Sequence, residues 1–320
     1  MREFTIGVDL GGTNLRAIAL TKEGERLAER RVPTNGADGA EAVLDRIAEL
    51  VRATERDVTD GRNVGIGLGV PGLIRLPAGI VSAAPNVWAD LDVAAKSGME
   101  DRLGTPVEFE NDANAAALGE YWVGAGRDVD DLILMTLGTG VGGGIVADGR
   151  IVRGQDGMAG EIGHTTLDPA STVRCGCGNL GCVETETSAT AIVRRARAAL
   201  GDSPSFTELD AAGRLTAATI AELATSGDRA AIAIYERVGR ALGVAVGNLI
   251  SVFNFPLYLF GGGVVSAWDL FAPSMLAEVE RRCLTFRLCG ARIEHAELGP
   301  EAGLIGAAFL PWQAKKSSNG

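Results

Sequence analysis

The feature that most constrains this chain is a pair of similar segments, each with two apolar strand patterns joined by a glycine turn. The first contains FTIGVDLGGTNLRAIAL and the second contains LILMTLGTGVGGGIVADG. Aligning Leu10 with Leu137 places the copies 127 residues apart. One copy alone is typical of an ordinary hairpin. Two copies favour a duplicated fold in which adjacent glycines turn successive backbone N–H groups toward phosphate.

The glycine turns differ from the familiar nucleotide loops. No GxxxxGK[ST] string is present. G-x-G-x-x-G strings begin at Gly67 and Gly138, which raises a nicotinamide-dependent oxidoreductase as a hypothesis. That motif needs a helix after it, whereas a strand pattern follows Gly143 and Pro71 interrupts the other copy. Asp9, at the mouth of the first turn, is a carboxylate that could hold Mg²⁺ directly or through water.

Helical and strand patterns alternate along the chain, which predicts an α/β architecture in two lobes. Helices are predicted at Ala40–Thr54, Ala113–Val123, Thr187–Leu200 and Ala230–Phe253. Gly201–Leu215, with Pro204 near its start, is predicted to be a surface loop and Lys315–Gly320 a frayed tail. The uncharged stretch Ala241–Trp268 is broken by polar residues, proline and glycines, so a buried helix and strand are predicted there rather than a membrane span.

The net charge indicates which kinds of partner to expect, and the N-terminal sequence indicates the cellular compartment. The net charge of −11 disfavours DNA and RNA, which require clustered cations. We expect no membrane partner. The sequence around Met1–Phe4 lacks the pattern of a signal peptide, so we expect a cytoplasmic protein, in which structural disulfides are rare.

Three of the five cysteines and one of the two histidines lie between Gly160 and Cys182. The four candidate ligands are His164, Cys175, Cys177 and Cys182. This set suits tetrahedral Zn²⁺, and four protein ligands would leave no open position, so the site would be structural. A disulfide or a redox thiol is an alternative, whereas an Fe–S cluster normally needs four thiolates. Cys283 and Cys289 lie far away and receive no assigned role.

The segment EFENDANAAALGE combines the end of a strand pattern with the start of a helix pattern. A carboxylate at such a junction is held on a rigid support, which suits a general base for phosphoryl transfer. Asn111 or Asp112 could instead simply cap the helix. From these residues alone, both interpretations of Asp112 remain open.

Six motifs taken in order resemble the ROK family of sugar kinases and regulators, most closely its bacterial glucokinases. They are DLGGTN, ENDANAAALGE, LGTGVGGG, GEIGH, CGCGNLGC and FGGGVVSAWDLFAP, and the resemblance spans Ile6–Phe309. It implies an actin-like ATPase (ribonuclease H-like) duplicated fold, with two lobes around a cleft. We expect a small lobe at 1–120, completed by a C-terminal helix at 301–314, and a large lobe with the zinc loop at 121–300.

The resemblance also implies a site. Asp112 would be the catalytic base. The phosphates of ATP, with Mg²⁺, would face Gly11, Gly12, Thr13, Gly138, Thr139 and Gly140, and adenosine would lie beside Gly262 and Gly263. The sugar would be ringed by Asn111, Asp112, Glu161, His164 and Glu184, with Asn86 as a further candidate. If zinc binds one ring nitrogen of His164, the other would carry N–H toward the sugar, so zinc would shape specificity without entering phosphoryl transfer.

One departure from the family bears on the substrate. Glu186 and Thr187 stand where the glucokinases commonly have Tyr and Ala. Glucose is the expected substrate, and mannose, allose, fructose, N-acetylglucosamine and N-acetylmannosamine are alternatives. A ROK regulator is a further alternative, although a core strand beginning by Phe4 leaves little room for a preceding DNA-binding domain. We expect a homodimer or homotetramer, and the sequence does not separate ATP from polyphosphate as the donor.

Overall fold

The computed structural model describes residues 1–84 and 87–318. Its strands are β1 (Arg2–Leu10), β2 (Asn14–Thr21), β3 (Arg26–Pro33), β4 (Gly61–Val70), β5 (Leu73–Arg75), β6 (Ile80–Ala83), β7 (Leu91–Val93), β8 (Val107–Asn111), β9 (Leu132–Leu137), β10 (Val141–Ala147), β11 (Arg150–Ile151), β12 (Leu257–Gly261) and β13 (Arg292–His295). Its α-helices are α1 (Ala40–Asp57), α2 (Ala95–Leu103), α3 (Asp112–Val123), α4 (Val183–Thr187), α5 (Ala189–Ala198), α6 (Pro204–Ala211), α7 (Ala217–Thr225), α8 (Arg229–Phe253), α9 (Trp268–Arg282), α10 (Leu284–Cys289) and α11 (Ala302–Ser318). The α/β pattern predicted from the sequence is therefore present.

Two five-stranded sheets have matching strand orders. The first runs β3-β2-β1-β4-β8 and the second runs β11-β10-β9-β12-β13. In the first sheet, β2 is antiparallel to β1, and β4 is parallel to β1 and to β8. In the second sheet, β11 is antiparallel to β10, and β13 is parallel to β12. The pair β1-β2 in the first sheet corresponds to the pair β9-β10 in the second, and a glycine turn joins the strands of each pair. The repeat seen in the sequence is therefore also a repeat of strand topology.

The chain forms two compact units. The first comprises Met1–Leu132, Gly144–Gly160 and Ala296–Gly320, and the second comprises Ile133–Gly143 and Glu161–His295. The lobe boundaries proposed from the sequence, 1–120 with 301–314 and 121–300, stay a prediction about domains.

The first sheet of the first unit separates two layers of helix. Ile6 and Val8 of β1 belong to the same buried cluster as the apolar face of α1. Side chains alternate between the two faces of a strand, so Gly7 points to the opposite face. A Cβ atom there would lie 2.4 Å from the backbone nitrogen of Ala308 in α11. Glycine at this position therefore lets α11 pack directly against the strand backbone.

Two local predictions were wrong. Gly201–Leu215 is not a loop throughout, because it contains α6, with Pro204 at the first helical position and Phe206 fully buried. Proline suits that position since its missing N–H would have no helical partner there. Likewise α11 continues to Ser318, past the start of the predicted tail. Among the helices described, none is long and apolar enough to cross a membrane.

Candidate active site and metal centre

The first glycine turn, Gly11–Thr13, joins β1 to β2 and is held by Thr34. The Thr34 hydroxyl donates to the carbonyl oxygen of Gly11 at 2.5 Å, and the Thr34 N–H donates to that of Thr13 at 3.0 Å. Within the described part of the chain, nothing accepts the backbone N–H groups of Gly12 and Thr13. Two consecutive free N–H groups on a fixed turn form an anion-binding concavity.

Asp9 lies one residue before the last residue of β1, at the edge of this turn. Asp9, Gly11, Thr13 and Arg16 line a cavity of about 800 Å³. Burial raises the pKa of the Asp9 carboxyl, and the positive charge of Arg16 opposes that rise. A carboxylate that is costly to ionise when buried gains from a nearby cation, which is compatible with the predicted contact with Mg²⁺.

The second glycine turn, Gly138–Gly140, joins β9 to β10 and is held by the start of α5. Ala189 N–H donates to the carbonyl oxygen of Gly138 at 2.8 Å, and the Thr190 hydroxyl donates to that of Thr139 at 2.8 Å. No described residue accepts the N–H groups of Thr139 and Gly140. The second turn therefore also presents two consecutive free N–H groups.

Glu184 connects the second turn to the cysteine segment. Its Oε2 accepts the N–H of Val141, the first residue after the turn, at 2.9 Å. Its Oε1 lies 3.3 Å from the Sγ of Cys175. A Cβ atom on Gly140 would lie only 2.4 Å from Oε2, so the carboxylate packs against the turn itself.

The four candidate metal ligands come together. The ligand atoms of His164, Cys175, Cys177 and Cys182 all lie within 4.8 Å of one another. The Sγ atoms of Cys177 and Cys182 are 3.8 Å apart, and Cys175 Sγ is 3.5 Å from His164 Nδ1. Two thiolates bound to one tetrahedral zinc ion would be about 3.8 Å apart, and a disulfide requires about 2.05 Å. The donor set and its spacing therefore fit a metal ion.

The thiols have unlike surroundings. Burial raises the pKa of Cys175 to about 12 and also raises that of Cys182, while the Asn179 N–H lowers the pKa of Cys177. Three sulfurs this close cannot all become thiolates without a compensating cation. The cluster, defined as His164, Cys175, Cys177 and Cys182, could therefore bind a metal ion that supplies the missing positive charge.

His164 is oriented between the cluster and Glu161. Its Nδ1 faces Cys175, and its Nε2 lies 3.8 Å from Oε2 of Glu161. Both side chains remain partly exposed. If Nδ1 binds a metal, Nε2 is the nitrogen left to carry the N–H.

Asn111 and Asp112 stand where β8 passes into α3. Asn111 caps the helix, since its Oδ1 accepts the N–H groups of Ala113 at 2.8 Å and Asn114 at 3.3 Å. Its Nδ2 also donates to the carbonyl oxygen of Gly72. Asp112 is the first helical residue and is exposed, with Oδ1 also within 2.8 Å of the Ala113 N–H. Asn111 is therefore the residue that caps the helix, and Asp112 occupies its first turn.

Glu110, directly before this pair, is completely buried and fixes the junction. Its Oε1 accepts from the Asn111 N–H and from Nδ2 of Asn114, both at 3.0 Å. Its Oε2 accepts from Nε of Arg153 at 2.7 Å. A buried carboxylate with three donors is well compensated, and it holds the backbone from which Asp112 projects.

Glu186 is accounted for by ion pairs. Its carboxylate is bound by Arg195 and, at 3.2 Å, by Nη2 of Arg237. Burial lowers the pKa of Arg195 to about 10, although the charge of Glu186 opposes that shift. These pairs join α4 to α5 and α8, so Glu186 anchors the short helix that carries Glu184.

The remaining predicted residues fall as follows. Gly262 follows β12 with φ of 86°, and a Cβ atom there would lie 2.4 Å from the Leu137 carbonyl oxygen, so it adjoins the second turn. Gly263 begins the next short helix. Asn86 lies outside the described residues. The proposed sugar residues divide between the units, with Asn111 and Asp112 in the first and Glu161, His164 and Glu184 in the second.

The motif Gly138–Gly143 runs into the strand β10, as the sequence predicts, and not into a helix. Gly67–Gly72 begins within β4, ends just after it and leads to β5, a strand of three residues. A pyrophosphate site of the dinucleotide-binding type needs a helix N-terminus at that point. Neither glycine string therefore has the context for a nicotinamide dinucleotide.

Sequence reasoning missed the residues that support the site. Thr34, Thr190 and Arg153 lie far along the chain from the groups they hold, so no local pattern indicates them. Glu110 did carry an indication, because it is an acidic residue between an apolar strand pattern and the catalytic candidate.

Comparisons with known proteins agree with this arrangement. The ROK family model matches residues 5–314. A glucokinase from Halalkalibacterium halodurans is 38% identical over 98% of this chain and 96% of its own. The solved ROK hexokinase from Thermus thermophilus superposes with a TM-score of 0.84, 32% identity and coverage of 98% and 99% of the two chains. For the Streptomyces griseus ROK glucokinase in complex with glucose and AMPPNP, the TM-score is 0.78, with 34% identity and coverage of 97% and 99%.

These likenesses extend over nearly the whole chain, and the solved structures share its fold. The predicted fold class, α/β of the actin-like ATPase type, is confirmed. Taken with the paired turns and the motifs that carried the resemblance, the match across residues 5–314 establishes that this chain belongs to the ROK family.

Proposed function

We propose that this chain is an ATP-dependent glucokinase. The observation that carries the proposal is the pair of fixed glycine turns, each of which offers two consecutive free N–H groups, Gly12 with Thr13 and Thr139 with Gly140. The names of the relatives support the same activity, since one is a glucokinase and another was solved with glucose and AMPPNP. Phosphoryl transfer depends chiefly on positioning and charge stabilisation, which such turns supply.

The two turns would hold the phosphates of ATP. Asp9 would bind Mg²⁺, directly or through water, and the ion would neutralise charge on the phosphates. Gly262, beside the second turn, and Gly263 would border adenosine. ATP is the proposed donor, and polyphosphate is an alternative that the donor assay distinguishes.

Asp112 would be the general base. During transfer, the bond between the γ-phosphorus and the bridging oxygen of ATP breaks, and a bond forms from that phosphorus to O6 of glucose. The hydroxyl proton passes to the Asp112 carboxylate, leaving ADP and glucose 6-phosphate. Asn111 takes over the capping role, and Glu110 holds the junction, so the base sits on a rigid support.

Zinc is the proposed ion of the cluster, since three cysteines and one histidine suit it best. It would fix the ring of His164, whose Nε2 lies beside Glu161, and would hold Cys182, which lies two residues before Glu184. Glu161, His164 and Glu184, with Asn111, Asp112 and Asn86, are the proposed sugar contacts. A homodimer or homotetramer, the absence of nucleic-acid binding and a cytoplasmic location stay predictions.

A coupled assay of ADP release over a panel of hexoses tests the substrate. We expect glucose to give the highest kcat/KM with ATP, ahead of mannose, allose, fructose, N-acetylglucosamine and N-acetylmannosamine. Polyphosphate in place of ATP, with glucose 6-phosphate measured, tests the donor. A chain that releases no ADP with any hexose is not a sugar kinase, and a preference for another member of the panel replaces glucose as the substrate.

Asp112→Asn tests the base. Loss of a general base should lower kcat by about 10²–10⁴-fold while glucose binding stays measurable by calorimetry. Asp101→Asn is the matched control, because Asp101 is an exposed aspartate in α2. Substantial turnover by Asp112→Asn would refute the role of Asp112.

A further inference from the structure

A second cavity in the first unit shares no residue with the proposed active site. Its volume is about 730 Å³, within the range of small-molecule sites. The aromatic pocket, as we call it, is lined chiefly by Lys22, Tyr121, Trp122, Phe309, Trp312 and Lys315. These residues come from the turn after β2, the end of α3, and the middle and last turns of α11.

The pocket concentrates residue types that the chain otherwise uses sparingly. The sequence has four tryptophans and three tyrosines, and its lysines are only Lys22, Lys96, Lys315 and Lys316. Two of those tryptophans, one tyrosine and two lysines line this one cavity. Partly exposed aromatic rings beside cations, in a chain of net charge −11, need an explanation other than core packing.

The ring of Trp122 is a preorganised platform. It stacks on Phe309 with centroids 4.8 Å apart and an interplanar angle of 23°. Its Nε1 donates to the carbonyl oxygen of Lys22 at 3.0 Å, which fixes its rotation. A fixed, partly exposed aromatic face costs little entropy to bind and suits the flat apolar face of a sugar ring or a base.

Some of the cationic side chains that line the pocket form no ion pair with a described residue. Arg127 is paired with Glu297 at 2.7 Å. In the described part of the chain Lys22 has no acidic partner, and Lys315 has none within ion-pair distance and lies 5.3 Å from the Trp312 ring centre. Asp130 also lines the cavity, so a ligand of negative charge alone would not use every group. Carboxylates accept hydrogen bonds from hydroxyl groups, and ammonium groups bind phosphate.

We propose that the aromatic pocket binds a phosphorylated sugar, with the ring against Trp122, the hydroxyls toward Asp130, and the phosphate between Lys22 and Lys315. Both a hexose phosphate and the ribose phosphate of a nucleotide have this chemistry. The site does not depend on the proposed kinase activity, because none of its residues belongs to the phosphate turns, the cluster or the Asp112 junction.

Calorimetric titration tests the pocket separately from the active site. The chain is first saturated with glucose and AMPPNP, and then titrated with glucose 6-phosphate, AMP or inorganic phosphate. We expect glucose 6-phosphate or AMP to bind with a Kd below about 1 mM, and the arm that binds identifies the source of the sugar phosphate. Inorganic phosphate, which lacks a ring, should bind at least about tenfold more weakly.

Variants locate the binding. Lys22→Ala and Lys315→Ala should each weaken it by about tenfold, while Lys96→Ala, which removes a lysine of α2, should leave it unchanged. Circular dichroism checks that each variant is folded. The proposal is overturned if neither phosphorylated sugar binds, if inorganic phosphate binds equally well, or if the Lys22 and Lys315 variants bind like the Lys96 variant.

Discussion

The first turn, Gly11–Thr13, is held by Thr34, whereas the second turn, Gly138–Gly140, is held by Ala189 and Thr190. In both, one backbone N–H and one threonine hydroxyl bind two carbonyl oxygens, and two N–H groups are left free. The supports come from unrelated places, a strand end in one unit and a helix start in the other. The hairpin and its anion-binding geometry are therefore repeated in the two halves, while the contacts that support each turn are not.

The turns differ more in what surrounds them. Asp9 stands beside the first, and the aligned position in the second is Thr136. Glu184 stands beside the second and joins it to Cys175 of the cluster. The first turn therefore has the side chain suited to a metal-bound nucleotide, and the second turn is tied to the loop suited to zinc.

Among the changes that separate the two turns, the largest loss of activity is expected from replacing Asp9, which has no carboxylate equivalent at the second turn. Asp9→Asn should lower kcat/KM for MgATP by about 10–100-fold, because an amide is a poorer ligand for Mg²⁺ or its waters. Steady-state kinetics with varied MgATP measures this. A variant with the kcat/KM of the wild type would remove Asp9 from the site.

The same variant has an opposite effect on stability. Burial raises the pKa of folded Asp9, so ionisation as the pH rises through that pKa lowers the free energy of unfolding. Asp9→Asn is neutral at every pH and should therefore be at least as stable as the wild type at neutral pH. Thermal unfolding measures this, and a large loss of Tm would show that the ionised carboxylate is stabilising.

The next largest effect is a loss of stability, expected when the contact between Glu184 and the second turn is disturbed. Gly140→Ala should displace Glu184 and break its hydrogen bond to Val141, at a cost of about 1.5–3 kcal/mol in the free energy of unfolding. Gly138→Ala is the control, since its Cβ atom would meet nothing within 4 Å in the ligand-free chain. Urea unfolding without ligands compares the two. Equal stabilities would mean that Glu184 yields freely and does not brace the turn.

The smallest expected effects follow from removing the threonine hydroxyl that supports each turn, that of Thr34 or that of Thr190. Thr34 is completely buried, so Thr34→Val should leave the Gly11 carbonyl without its hydroxyl donor and cost about 1–3 kcal/mol. Thr190 is exposed, and water can replace its hydroxyl, so Thr190→Val should stay within about 0.5 kcal/mol of the wild type. Urea unfolding compares the two variants. A larger loss in the free energy of unfolding for Thr190→Val than for Thr34→Val would show that Thr190 is the stronger support.

The parts of the fold that local patterns specify could be predicted from the sequence. Both glycine turns, the strand-to-helix junction at Asp112 and the grouping of His164 with the cysteines depend on short segments, and the structure has each of them. The helix at Pro204 was missed because proline suggests a loop unless its fit to a first helical turn is considered.

The supports of the site could not be predicted because they are long-range contacts. Thr34 reaches Gly11, Arg153 reaches Glu110, and Arg237 reaches Glu186 across gaps that no periodicity spans. Glu186 illustrates the limit. Its place in the sequence raised a question about the sugar, and only its ion pairs identified it as an anchor of α4.

The most direct test of the account is the metal content and glucose kinetics of Cys177→Ser, with Cys289→Ser as a control at an exposed cysteine outside the cluster. The wild type and Cys289→Ser should hold one zinc ion per chain, since the cluster offers a single set of four ligands. Cys177→Ser should lose the zinc and show a raised KM for glucose with kcat changed much less, because zinc positions His164 and Glu184 and takes no part in the transfer. A metal-free Cys177→Ser with unchanged glucose kinetics would contradict it.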